Sequence, residues 1–205
     1  MARPKGDIEP RILQAAAERF ATHGVDATSL RSIAKDARTS IGMVYYYFPT
    51  KDDLFFAVIE EVYAQLLADL AHALAKGRPF EERVRRFYER LGALSPEEGR
   101  IVRLVILEGI TNSARFTRLI ERFKRGHIAL VLQLVDDGLL QKSLRTDLHP
   151  FVLGTSIVAL GAVPQLVSRL ASGRLPVANM ERSSLLQQLM DVLFNGVAPK
   201  PPTVA

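Results

Sequence analysis

The sequence predicts an all-α protein, with a short N-terminal helix-turn-helix unit of three helices followed by a larger helical body. Three observations predict it. Apolar residues recur with the 3.6-residue period along nearly all of the 205 residues and almost never alternate with period two. Proline, glycine and hydroxyl residues punctuate that period where helices start and stop. Near the N-terminus, two very short periodic stretches, each preceded by a hydroxyl residue, are joined so tightly that they form a helix pair.

The elements follow in order. Pro10 is placed like a first-turn proline, and Ile12, Ala16 and Phe20 recur at i, i+4 and i+8 as far as "HGVDATS", where Gly24 supplies a cap. Thr28 is the expected N-cap of the second helix, whose apolar stripe is Leu30, Ile33, Ala34 and Ala37. Ser40 repeats that role for the third. From Lys51 a longer helix runs through Leu54, Val58, Val62 and Leu66 towards Lys76, and "KGRPF" stops it. Further helices are expected from Phe80 to about Leu94, Glu97 to about Asn112, Phe116 to about Leu140, Pro150 to about Ala171 and Ser183 to Phe194. The tail "NGVAPKPPTVA" is expected to be loose.

Composition sets the class. A hydrophobic content of 48% argues against disorder, and the absence of cysteine excludes a disulfide framework and thiolate metal sites and suits a reducing cytoplasm. The basic start "MARPKGDIEPR" leads into no apolar stretch and does not read as a signal peptide. A net charge of +5 fits an anionic partner, but it is not concentrated at the N-terminal end, so any electrostatic footprint depends on placement on one face. Pro150 to Ser168 carries no charge and approaches membrane-span length. Its Gly154, Thr155, Ser156, Gly161, Pro164, Gln165 and Ser168 favour a helix buried on most sides in a soluble protein, with no membrane partner.

The stretch "TSIGMVYYYFPTKDDL" carries the most information. Projected at about 100° per residue, Val44 and Phe48 fall together, with Tyr47 beside them, on the side that meets Ile33, Ala34 and Ala37. Gly42, Met43 and Tyr46 fall on the opposite side, and Tyr45 lies at the margin. A packed helix with an aromatic on its free face suits the DNA major groove, which admits a helix and offers base edges and thymine methyls. Gly42 lets the backbone approach closely. Thr28, Ser40, Tyr45 and Lys51 could donate to phosphate and fix register, leaving base reading to Tyr46, Met43 and Ile41. Each also has a plainer role, as cap, packing residue or solvated lysine.

With its first helix "RILQAAAERFATHG", the stretch "TSLRSIAKDARTSIGMVYYYFPTKDDL" resembles the DNA-binding signature of TetR-type (tetracycline repressor-like) bacterial transcriptional regulators, closely over about Ile12 to Phe55. The resemblance implies an all-helical homodimer whose three N-terminal helices bind operator DNA and whose body binds a small-molecule effector. The expected organisation is a DNA-binding domain over 1–52, an effector-binding and dimerisation domain over 53–196 and a flexible tail over 197–205. It assigns phosphate contact to Thr28, Ser40, Tyr45 and Lys51, and base contact to Met43 and Tyr46. Arg38 replaces a frequent turn glycine, which strains the turn or adds a phosphate contact. Ser143 replaces another before the looser match "LRTDLHP".

The body offers Tyr63, Phe87, Glu108, Asn112, Phe116, Phe123 and His127 as candidates for an effector pocket, with core packing as the alternative at each. Arg115, Arg118, Arg122, Lys124 and Arg125 read as a solvated face or an acidic-ligand site. For the dimer, Gly154, Ile157 and Gly161 on one helix and Leu185, Leu189 and Val192 on its neighbour are the expected interface, because helices apolar on more than one side need a second set of partners. The four histidines lie in separate segments, Asp69 with His72 alone is a weak metal pair, and no catalytic motif occurs. No cofactor or metal is expected. An enzyme with a spatially assembled site and a helical interaction protein that ignores DNA stay open as rivals.

Overall fold

The computed structural model describes residues 7–111, 113–171 and 180–196. Among the described residues there are ten α-helices and no strand: α1 Ile8–His23, α2 Leu30–Asp36, α3 Ile41–Tyr47, α4 Lys51–Ala73, α5 Phe80–Gly92, α6 Pro96–Ile110, α7 Ala114–Lys124, α8 His127–Leu140, α9 Pro150–Ala171 and α10 Arg182–Asn195. The tail from residue 197 lies outside the described residues. The helices gather into two compact units. One takes the chain to Ala68 together with Ser95–Phe123, and the other takes Asp69–Leu94 with the chain from Lys124 onward. This is a partition by packing, and it groups α6 and α7 with the first three helices and most of α4.

In the first unit α1 packs on α2 and α6, and α2 packs on α3. The expected α1 stripe is the buried one: Ile12, Ala16 and Phe20 are inaccessible, and the Phe20 ring meets Phe55 edge-on at 6.3 Å. The helix starts are built from side-chain caps. Ser40 Oγ accepts from the Met43 N–H at 3.2 Å, as expected. At α2 the cap is one residue later than expected: Ser29 Oγ accepts from the Ser32 N–H at 3.1 Å. Thr28 is instead buried, its hydroxyl donating to the Gly24 carbonyl at 2.7 Å, which holds the α1–α2 loop closed. Thr50 and Asp53 cap α4 reciprocally, and Ser95 and Glu98 do the same for α6 around Pro96.

The single helix expected from Phe116 to Leu140 is two, because Gly126 interrupts it and stands as the N-cap of α8. Two helices end on non-glycine residues in left-handed conformation, Arg38 at φ 52° and Lys142 at φ 56°. Both follow one pattern. Thr39 N–H reaches Ala34 O at 3.0 Å and Arg38 N–H reaches Lys35 O at 3.1 Å, while Ser143 N–H reaches Gly138 O at 2.8 Å and Lys142 N–H reaches Leu139 O at 3.1 Å. These are Schellman ends, whose left-handed position favours glycine. At Arg38 the backbone takes the conformation that a turn glycine favours. In the second turn the left-handed residue is Lys142, not Ser143.

In the second unit α9 lies against α5 and α8. Tyr88 is fully buried, and its hydroxyl donates to the Ile157 carbonyl at 3.0 Å. A Cβ on Gly161 would stand 2.4 Å from two atoms of the Tyr88 ring, so only glycine fits beneath it. The buried Gln165 amide donates to Tyr88 O at 2.9 Å and Gly161 O at 2.6 Å. Arg83, with a side chain only 3% exposed, joins Asp137 at 3.0 Å and the Leu74 carbonyl at 3.0 Å, tying α5 to α8 and to the end of α4. Burial works against the Asp137 charge, yet hydrogen bonds from Arg83 and Lys76 outweigh it and hold the carboxyl below its ordinary range.

The apolar segment of α9 is not buried on most sides. It is long and apolar enough to cross a membrane by composition, and only 28% of it is buried in the chain. Leu153, Gly154, Ile157, Gly161 and Gln165 face inward, while Phe151, Val152, Val163 and Val167 are exposed.

Candidate nucleic-acid interface

The third helix presents its aromatics in the arrangement that the helical projection predicts. Val44 and Phe48 are buried at 0% and 6% exposure, Tyr47 is half-buried, and Tyr45 and Tyr46 are exposed at 54% and 76%. The buried pair meets the core that also contains Ile33, Ala34 and Ala37. Tyr46 is steadied from inside the helix, its ring edge-on to Tyr47 at 5.2 Å and 87°. Tyr46 thus stands as an exposed phenol on a capped helix whose opposite face is packed. Ile41 and Met43 are half-buried beside it. At Gly42 a Cβ would meet only Ser40 Oγ, at an ordinary 3.7 Å, so nothing within the chain requires glycine there.

The residues assigned to phosphate differ in what they can offer. Ser40 is exposed and keeps its hydroxyl proton while its oxygen caps α3. Tyr45 and Arg38 are also exposed. Thr28 is a correction: its one hydroxyl proton is committed to the Gly24 carbonyl, so it cannot donate to phosphate in this conformation. Lys51 Nζ donates to the Asp26 and Thr28 carbonyls at 3.1 and 3.2 Å, which fastens the α1–α2 loop to the start of α4 and leaves one of its three protons.

Sequence reasoning missed Asp26, and gave Arg115 only as one of a basic cluster. The Arg115 guanidinium gives Nη2 to both Asp26 carboxylate oxygens at 2.9 and 3.0 Å, Nη1 to Asp52 at 3.4 Å and Nε to Glu108 at 2.9 Å. Its hydrogen bond pulls the Asp26 carboxyl below the ordinary range, against a smaller effect of burial. Burial also opposes the Arg115 charge, but Asp26 and Glu108 more than offset it and raise its pKa. The signal in the sequence was the run of arginines in α7, and no spacing rule ties it to an acid 89 residues away.

The other α7 arginines are not a free solvated face. Arg118 stacks over Phe56 at 3.9 Å, and Arg122 lies 4.8 Å from the Tyr63 ring centre and pairs with Glu60 at 2.6 Å. Of the effector candidates, Tyr63 and Phe123 are buried together, ring centres 5.0 Å apart. Glu108 is held by Arg115 and by Ser113 Oγ at 2.5 Å. Phe116 fits over Gly109. Phe87 and His127 belong to the second unit, and Asn112 lies outside the described residues.

The interface assignments on α9 and α10 also change. Gly154 lies against Val131 and Val135, Gly161 against Tyr88, and Ile157 and Leu189 are buried in the second unit's own core. These side chains and glycines are covered within their own chain. Leu185 and Val192 are half-buried.

Residues 12–58 match the profile of the family described as bacterial regulatory proteins, tetR family. The match runs from α1 to the first turns of α4, about a quarter of the chain. It is 31% identical over 109 residues to an HTH-type transcriptional repressor of Mycobacterium tuberculosis, a match covering 53% of this chain and 52% of that one. A second HTH-type transcriptional repressor, from Streptomyces coelicolor, is 27% identical over 179 residues, 84% of this chain and 88% of that one. Against curated relatives such as the Mycobacterium tuberculosis repressor, the chain spans about half their length. Among solved structures, a transcriptional regulator of Bacillus subtilis in complex with stearoyl-CoA has the same fold, with a TM-score of 0.67 at 15% identity over 92% of this chain and 99% of that one. The tetR-family match covers α3 entire, so the exposed Tyr46 stands in the segment that defines the family.

Proposed function

We propose that this chain is a tetR-family, sequence-specific, DNA-binding transcriptional regulator, a repressor released from its operator by a small molecule. The observation that carries the reading is α3 itself: capped by Ser40, locked by Val44 and Phe48, and presenting Tyr46 at 76% exposure. In a major groove, Tyr46, Met43 and Ile41 read base edges and methyls, while Ser40, Tyr45, Arg38 and the remaining proton of Lys51 engage phosphates. The location that follows is the cytoplasm, where the DNA is. The reading favours binding over catalysis, since every feature it uses serves recognition.

The chain acts as a homodimer. Support comes from the outward face of α9, where Ser156, Ala159, Val163 and Pro164 line an open apolar groove with Val192 and Leu193 of α10. A two-fold contact on that face spaces two reading heads for half-sites about 34 Å apart, or a multiple of that. An effector that favours a body conformation with the heads wrongly spaced lowers operator affinity by its differential binding to the two states. Long-chain acyl-CoA is the first compound to try, given the stearoyl-CoA complex of the Bacillus subtilis neighbour.

The test is Tyr46→Ala, assayed on a genomic fragment selected by the wild-type chain and on random duplex. The reading expects a selective loss on the genomic fragment, on the order of 1 to 3 kcal/mol. Equal losses on both DNAs reassign Tyr46 to backbone positioning, and no DNA binding by the wild type rejects the function.

A further inference from the structure

The α1–α2 loop, residues 24–29, is held from two sides. Lys51 grips its backbone through the Asp26 and Thr28 carbonyls, and Arg115 grips its Asp26 side chain with two short bonds from one nitrogen. The loop is otherwise pinned by buried Val25 and Thr28 and ends in Ser29, the cap of α2. Its position therefore sets the start of α2, and α2 packs on α3. Arg115 comes from the other direction: it opens α7, just after the α6–α7 corner, where Glu108 is locked by Arg115 and Ser113. Its side chain is only 13% exposed and is ringed by three carboxylates, Asp26, Asp52 and Glu108. Such a guanidinium carries no surplus charge for a phosphate.

We infer that Arg115 is a positioning residue for DNA binding, fastening the loop that precedes the helix-turn-helix to the α6–α7 corner through Asp26. The inference rests on the regulator reading above. It gives the α6–α7 corner a direct mechanical hold on the reading head, so a change in the corner that withdraws Arg115 frees the loop and lowers operator affinity. The hold is local. Arg118 on Phe56 and Arg122 on Glu60 and Tyr63 keep the rest of α7 stapled along α4, which leaves the Asp26 contact as the part that can open while the helix pair stays joined.

Asp26 supplies a discriminating test because electrostatics and positioning predict opposite signs. Its side chain is 84% exposed, so Asp26→Asn leaves the core untouched. Removing an acid from a DNA-binding unit tightens binding to a polyanion if charge alone matters. Loss of the Arg115 hold weakens it. Binding is measured for the full-length wild type, Asp26→Asn, Arg115→Gln and the double variant, on a genomic fragment selected by the wild type and on random duplex, across a salt series. The expected result is a loss on the order of tenfold on the selected fragment for either single variant, with the double variant no weaker than the singles and the salt slope unchanged. Unchanged or tighter binding by Asp26→Asn overturns the inference. So do additive losses, or a slope reduced by about one in Arg115→Gln, which makes Arg115 a phosphate contact. If circular dichroism shows that Arg115→Gln does not fold, Asp26→Asn and Arg115→Lys decide between the same outcomes. A wild type that binds both DNAs equally rejects the regulator reading itself, whereas a discriminating wild type with an unaffected Asp26→Asn rejects only the positioning role.

Discussion

Arg38 holds a backbone angle that glycine reaches with less strain. A left-handed conformation costs a non-glycine residue about 1–2 kcal/mol, and glycine's extra freedom in the unfolded chain takes back about 0.5–1 kcal/mol. Arg38→Gly and Lys142→Gly are therefore each expected to stabilise the fold by up to about 1 kcal/mol in denaturant titrations. A loss of stability at either position means that the side chain makes contacts worth more than the strain. At Arg38 the same substitution removes an exposed cation beside α3, so weaker DNA binding together with higher stability would separate a phosphate contact from a structural role. The sequence was nearly legible at this scale, and at the α2 cap its error was of one residue. Thr28 and Ser29 are both good caps, and only the path of the loop decides which hydroxyl faces the α2 amides. At the end of α8 sequence reading noted only that Ser143 stands where a glycine is frequent; the left-handed residue is Lys142, fixed by where the last helical hydrogen bond falls.

Among the elements, α9 shows how composition can leave a face unassigned. Its small residues were read as meeting a second subunit, but Gly161 serves Tyr88 of its own chain. Gly161→Ala is expected to overpack that contact and destabilise by about 1–3 kcal/mol, measured by thermal or denaturant unfolding. No change in stability would mean that the Tyr88 ring shifts freely. In α5, Arg83→Ala leaves Asp137 with Lys76 alone and the Leu74 carbonyl without its side-chain donor, and is expected to cost about 2–3 kcal/mol in the same measurement. A cost below 1 kcal/mol would mean that Lys76 alone neutralises Asp137. The α7–α8 break escaped sequence reading because apolar residues keep the helical period through Leu119, Phe123, Val131 and Leu134, across Gly126. Glycine is tolerated inside helices, so its break is visible only in three dimensions. The contacts of Arg115, Arg118 and Arg122 escaped for a related reason: periodicity shows that residues share a face, and says nothing of what packs there.

For the molecule as a whole, the N-terminal reading head was the most legible part, since capping, packing and an outward aromatic coincide within one short stretch. The proposed effector site was the least legible, because any aromatic on an apolar helix satisfies the same composition. The proposed dimer contact is on the outward side of α9, where Val163 is 54% exposed and Val167 is 52% exposed. Val163→Glu is expected to give monomers of unchanged helicity in sedimentation, since the position lies outside the chain's own core. A persistent dimer would place the interface elsewhere. The most direct measurement of the central claim is selection of genomic DNA fragments by the full-length wild-type chain, followed by protection mapping. The account predicts that the retained fragments share a two-fold symmetric site with half-sites one helical turn, or a multiple of it, apart. Fragments retained without any common sequence, or none retained at moderate salt, would contradict it.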